Sequence, residues 1–162
     1  MQRALKQFHW GKEIEIREYL QPLTAPQALE MLAEREGRAL ILAGGTDVIP
    51  LLRQGELEAE ALVDIGRVAG MKEIEADGES ICVGGLVTHA RIAESPLIRE
   101  KAGLLAEAAA AVGSPQIRNV ATVAGNLVSA QPAADVTLPL LALNATVTIL
   151  SQAGEREVPL TR

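Results

Sequence analysis

The sequence contains one cysteine, Cys82, which excludes a disulfide framework and an iron–sulfur cluster held by this chain alone. Cys82 sits in Ser80-Ile81-Cys82-Val83-Gly84, a strand-like run, and is expected to be a buried structural thiol. Aromatic residues make up only 2% of the chain, so any interior must be built from Leu, Ile, Val and Ala. No apolar run reaches membrane-spanning length, and Met1–Glu13 has no apolar core of a signal peptide. Those two absences lead to the expectation of a soluble cytoplasmic protein. Basic residues (15) are fewer than acidic ones (21), and a net charge of −6 argues against coating nucleic acid. The same balance means that an anionic ligand has to be held largely by backbone dipoles. Neither Gly-x-Gly-x-x-Gly nor Gly-Lys-Ser/Thr occurs, which removes the dinucleotide fingerprint of the Rossmann type and the P-loop.

What is present suffices for one domain or two small subdomains. The chain has 162 residues, 48% of them hydrophobic. Residues 1–13 read as a loose arm. A strand-like stretch carries Ile14, Ile16 and Tyr19. Thr24-Ala25-Pro26-Gln27 has the pattern of a capped helix start, and Gly37 ends that helix. Strand Ala39–Leu42 runs into Ala43-Gly44-Gly45-Thr46-Asp47, with Asp47 placed to cap a second helix that stops near Gly55. Ala61–Ile65 reads as a strand. Lys72–Ala76 and Ser80–Gly84 flank Asp77-Gly78, a hairpin signal. Thr88 and Ser95-Pro96 open helices, the second interrupted by Gly103 and reaching Val112. Gly113–Asn119 reads as a loop, Pro132–Leu143 as a helix, and Thr146–Leu150 with Arg156–Leu160 as a closing hairpin. The abrupt end at Thr161-Arg162 suggests a longer natural polypeptide.

Two stretches carry the chemistry. Ala43–Asp47 and Thr122-Val123-Ala124-Gly125-Asn126 are both rich in small residues and both read as turns. Turns without a Cβ let N–H groups close on a phosphate. Either could equally be a plain strand-to-helix turn. Asp135, after Pro132-Ala133-Ala134, could cap the next helix or accept a hydrogen bond from a sugar hydroxyl.

Together, Ala43–Asp47, Ile117–Asn126 and Pro132–Asp135 resemble the FAD-binding medium subunit of the molybdenum hydroxylases, the xanthine dehydrogenase and aerobic carbon monoxide dehydrogenase group. The likeness extends from about Ile14 to the last residue. It implies an α+β fold of the vanillyl-alcohol oxidase (PCMH) type. Two α/β subdomains (14–60 and 61–162) would hold FAD between them, and the family's C-terminal domain is absent from this sequence. It implies that backbone amides of Ala43, Gly44, Gly45, Thr46 and Asp47 cradle the pyrophosphate, with Leu42 and Val48 walling the dinucleotide. Thr122, Val123, Ala124, Gly125 and Asn126 would close from the other side, through the Thr122 hydroxyl and the Asn126 amide, and Asp135 would bond a cofactor hydroxyl. Val112 and Ile117 fall at apolar contact positions. Ala124 departs from the family's Gly-Gly, which is tolerable only if its φ stays negative. On this resemblance the glycine pair is needed for phosphate room, so a side chain at Gly44 or Gly45 should cost FAD without unfolding the domain.

The implied role is a FAD-dependent oxidoreductase subunit. It would pass electrons from the 2Fe-2S small subunit of a molybdopterin-containing complex to NAD, a quinone or dioxygen, with a molybdopterin-binding large subunit as the other partner. No catalytic acid, base or metal ligand is assigned. His89 is expected to be an ordinary, partly exposed histidine in a first helical turn. A stand-alone flavin oxidoreductase of the same fold, and a partner-binding fragment without flavin, are the alternatives.

Overall fold

The computed structural model describes residues 15–130 and 134–161. The expected N-terminal arm 1–13, together with Pro132, Ala133 and Arg162, lies outside them. The first half is a small parallel α/β unit. Strands β1 (Glu18–Leu20), β2 (Ala39–Leu42) and β3 (Ala61–Asp64) form a sheet in the order β1-β3-β2, all parallel. Parallel neighbours need crossovers, and helices α1 (Ala25–Ala33) and α2 (Val48–Gln54) supply them. The sequence sets their ends. The Thr24 hydroxyl accepts from Gln27 N at the start of α1, Gln27 Oε1 accepts from Leu23 N, and Gly55 ends α2 in the left-handed region at φ 74°. The central strand β3 is buried from Ala61 through Val63. Ala61–Asp64, just after the expected 60/61 junction, pairs with both β1 and β2 in the first sheet.

The second half begins with a short 3₁₀ turn (Ile65–Arg67) and the hairpin β4 (Ile74–Asp77) and β5 (Ser80–Val83), turned at Gly78 with φ 60°. Six helices follow among the described residues: α3 (His89–Glu94), α4 (Pro96–Lys101), α5 (Gly103–Ala111), α6 (Pro115–Arg118), α7 (Val123–Ser129) and α8 (Thr137–Ala142). The hairpin of β6 (Thr146–Ser151) and β7 (Gly154–Pro159) closes the described chain. Val87, Ile92, Ile98, Leu105, Ala106, Ala109, Val112, Val123 and Val136 make the core, with Ile74, Ile81, Val83 and Leu140 packed against it. It is aliphatic throughout, as the scarcity of aromatics requires. The one described aromatic ring, Tyr19, is 56% exposed.

Four expectations change. Gly113–Asn119 is not all loop, because Ser114 Oγ accepts from Ile117 N and starts α6. Of the helix expected over Pro132–Leu143, Thr137–Ala142 is helical among the described residues, and Ala134–Val136 are not. Asp135 does not cap it, since Val136 holds the N-cap position and no side chain bonds there. Cys82 is exposed, because it lies on the outward phase of β5 between the half-buried Ile81 and Val83.

Candidate cofactor cleft

β2 delivers the chain to the carboxyl end of the parallel sheet, the edge at which open α/β sheets take ligands. There it reverses through Gly44 and Gly45. Gly45 has φ +73°, and a Cβ on it would also press on Leu42 Cδ1 at 3.3 Å. Gly44 is glycine for another reason: an added Cβ would lie 2.1 Å from the Val120 carbonyl oxygen. The two glycine-bearing stretches therefore touch, main chain against main chain. Among the described residues, the N–H groups of Gly44, Gly45, Thr46, Asp47 and Val48 donate to nothing. Asp47 stands at the N-cap position of α2 but makes no side-chain capping bond, and its carboxylate is exposed.

The second stretch is built differently from the turn expected there. Thr122 is the N-cap of α7, its hydroxyl oxygen accepting from Gly125 N at 3.2 Å. Val123 N donates to Val87 O, Ala124 N to Gly85 O and Asn126 N to Thr122 O. Every N–H from Val123 to Asn126 is thus used within the protein, and none remains for a phosphate. The cause is the neighbouring start of α3. His89 N donates to Ala121 O, and Thr88 and Thr122 form an antiparallel bridge that binds the two helix starts together. Ala124 lies inside α7, where its φ is not positive. Its methyl is accommodated by Gly85, whose own Cβ would sit 3.2 Å from it. Side chains are what this stretch has left to offer. Asn126 Oδ1 is buried without a hydrogen-bond partner. A buried amide oxygen left so costs about 1–3 kcal/mol, which a ligand donor would recover.

A cleft of about 250 Å³ joins the two stretches. Ala43, Gly44 and Thr122 line it, together with Gly66, Lys72, Leu86, Thr88, Asn119 and Val120. Leu42, Gly45, Thr46, Asp47, Val48, Ala124, Gly125, Asn126 and Asp135 are not on its wall, and Val123 is a buried core residue. Six wall residues escaped the sequence reading. Asn119 and Val120 lie inside the recognised Ile117–Asn126 stretch, although the resemblance assigns them no role, and Thr88 carries a signal, being a helix-capping threonine like Thr122. Gly66 and Lys72 had none. Gly66 is held by Asp64 at the end of β3, whose Oδ1 accepts from Gly66 N at 2.8 Å. Asp64 Oδ2 accepts from Tyr19 Oη at 2.5 Å and Gln21 Nε2 at 3.1 Å. Burial alone would raise the Asp64 carboxyl, but the hydrogen bonds from Tyr19, Gly66 and Gln21 outweigh it and hold it below the usual carboxylate range.

The expected partly exposed His89 is in fact 1% exposed, at the first position of α3. Its Nδ1 has no partner. Burial pushes its pKa below the ordinary value, with Asp135 opposing weakly, so the ring is held neutral.

The family described as the FAD binding domain in molybdopterin dehydrogenase matches residues 12–162. The chain belongs to that family. Among curated relatives, the 6-hydroxypseudooxynicotine dehydrogenase complex subunit alpha of Paenarthrobacter nicotinovorans is 40% identical over 143 residues, 88% of this chain and 48% of the relative. Among solved structures, a carbon monoxide dehydrogenase from Hydrogenophaga pseudoflava superposes with TM-score 0.89 at 27% identity, covering 93% of this chain and 52% of that one. Quinoline 2-oxidoreductase from Pseudomonas putida 86 does so with TM-score 0.88 at 30% identity, covering 93% and 52%. The mixed α and β fold is therefore shared with these oxidoreductase chains. This FAD-binding family domain spans about half the length of the relatives it matches. Among the described residues, no helix is long and apolar enough to cross a membrane.

Proposed function

We propose that this chain holds FAD as part of a molybdopterin-dependent dehydrogenase. Bound there, FAD would supply the redox chemistry, receiving electrons from the 2Fe-2S centres of a small subunit and passing them to NAD, a quinone or dioxygen. The residues fit such a group. Five consecutive N–H groups, Gly44 to Val48, lack partners and suit the pyrophosphate, because a diphosphate needs several donors and no bulk beside it. Leu42 and Val48 flank that turn in sequence and are proposed as its apolar neighbours. From the other side, Thr122 lines the cleft, and Asn126, behind its wall, holds an unsatisfied Oδ1. Asp135, exposed and not engaged as a cap, is left to accept from a ribityl or ribose hydroxyl. The chain's part is to bind, orient and tune the flavin; no side chain is given an acid–base step.

The observation that carries this reading is the unpartnered amide run that begins at Gly44, on the wall of the cleft that Thr122 also lines. A molybdopterin-binding large subunit and a 2Fe-2S small subunit are its proposed partners. The two α/β parts are taken as subdomains of the vanillyl-alcohol oxidase type with FAD between them. Purified protein, supplemented with FAD and desalted, should retain flavin absorbance near ~450 nm. Asp135→Ala should weaken FAD binding by about 1–3 kcal/mol, the range for a hydrogen bond to a charged group. A protein left colourless by desalting after incubation with saturating FAD would end the reading, and equal affinities would remove Asp135 from the site.

A further inference from the structure

The cleft at the glycine turn shares a wall with a second one. That neighbour, about 350 Å³, runs along residues 66–73 and is lined by Gly66, Arg67, Lys72 and Glu73, among others. Gly66 and Lys72 line both. Lys72 therefore stands where the clefts meet, on the wall it shares with Ala43 and Gly44. Its side chain is exposed, and among the described residues no carboxylate forms an ion pair with it.

The charged groups around Lys72 can be named. Asp64 lies within electrostatic reach, but its two oxygens are already taken by Tyr19, Gln21 and Gly66. Glu73 and Arg67 line the second cleft. The Arg91 guanidinium donates to the Lys72 carbonyl oxygen and so fixes the backbone that carries the lysine. On a chain of net charge −6, this leaves a cation fixed at its root at a cleft mouth, with no ion-pair partner among the described residues.

A dianionic diphosphate needs donors from more than one direction. Gly44–Val48 offer one set of amides. The amides of Val123–Asn126 are consumed inside the protein and cannot supply the opposing set. We propose that the Lys72 ammonium takes that place, as the side-chain cation that meets the diphosphate of a bound dinucleotide at the shared lip of the two clefts. This rests on the FAD reading above and adds to it a contact that the amide pattern alone leaves unfilled. Lysine suits the role because an ammonium on a flexible stem follows a phosphate as a point charge.

The test titrates the full chain with FAD and with riboflavin, which lacks phosphate, by quenching of flavin fluorescence at low and high salt. Lys72→Gln should lower FAD affinity about ten-fold, as loss of a charge-assisted hydrogen bond does. It should also flatten the salt dependence of FAD binding and leave riboflavin binding unchanged. Lys72→Arg should recover most of the loss. FAD affinity and salt dependence equal to wild type in Lys72→Gln would overturn the assignment. So would an equal loss of FAD and riboflavin, which a merely structural lysine would produce. Failure of the wild-type chain to bind FAD at all would strike the cofactor reading itself, a result separate from any loss confined to the variant.

Discussion

Gly44→Ala is the sharpest probe of how the two stretches meet. The added Cβ would lie 2.1 Å from Val120 O, 2.8 Å from Val120 C and 3.0 Å from Ala121 Cα. Ordinary contact begins at 3.4 Å, so one backbone must retreat by more than an ångström. The obstacle is main chain, and no side-chain rotation relieves it. Overpacking of this kind costs roughly 1–3 kcal/mol. For a chain of this length about 2–4 °C accompanies each kcal/mol, so the melting temperature should fall by roughly 2–12 °C. FAD affinity should fall with it, because the shift separates Gly44 from the Thr122 side of the cleft. Gly103→Ala is the matched control. A Cβ there meets nothing within 4 Å, its φ is not positive, and it opens α5. That change should be neutral or stabilising by up to about 1 kcal/mol. Calorimetry of both variants without flavin decides the matter. If Gly44→Ala melts with wild type and loses only FAD, the contact with Val120 is not what demands glycine, and phosphate room alone would explain the residue.

Two further predictions use buried polar groups. Asn126→Leu removes the unpartnered Oδ1 and improves helix propensity, so it should hold or raise the melting temperature while weakening FAD binding; a lower melting temperature without flavin would refute the unsatisfied-amide argument. His89 stays neutral in the folded protein because burial lowers its pKa, whereas the unfolded chain takes a proton near the ordinary value of 6.5. Unfolding then binds a proton, so stability is retained above that pH and lost as pH falls through it, by at most about 1.4 kcal/mol per pH unit. Denaturant midpoints measured on both sides of pH 6.5 should show this slope in wild type and not in His89→Gln, and equal slopes would dismiss His89 as its source.

Local chemistry made much of the architecture legible. Thr24, Thr88 and Ser95 each cap the helix their sequence announces, and the hairpin turn at Gly78 follows from Asp77-Gly78. The break at Gly103 is also where α4 gives way to α5. What stayed hidden depends on contacts far apart in sequence. That Ala61–Asp64 is the central strand between β1 and β2 is a matter of topology, which periodicity does not encode. The helix start at Thr122 was read as an open turn because the amides of Val123 and Ala124 find their acceptors at Val87 and Gly85, far upstream. Gly44 is expected to leave room for a phosphate, and the approach of the Val120 carbonyl, which also demands glycine there, is a long-range contact. Asp47 and Asp135 sit at positions where an acidic cap is chemically reasonable, yet neither bonds. At the cleft the sequence pointed to Ala43, Gly44 and Thr122. It could not point to Gly66 or Lys72, which come from loops that only the fold brings to the same rim.

The contact of Gly44 with the Val120 carbonyl also bears on timing. Rotamer flips of exposed side chains take picoseconds to nanoseconds, but this junction has no side chain to swing aside. Widening it means moving one part of the molecule against the other, a collective motion of about microseconds to milliseconds. Entry and escape of a large ligand past this point would then be paced by that collective motion, and an occupant would exchange slowly whatever its affinity.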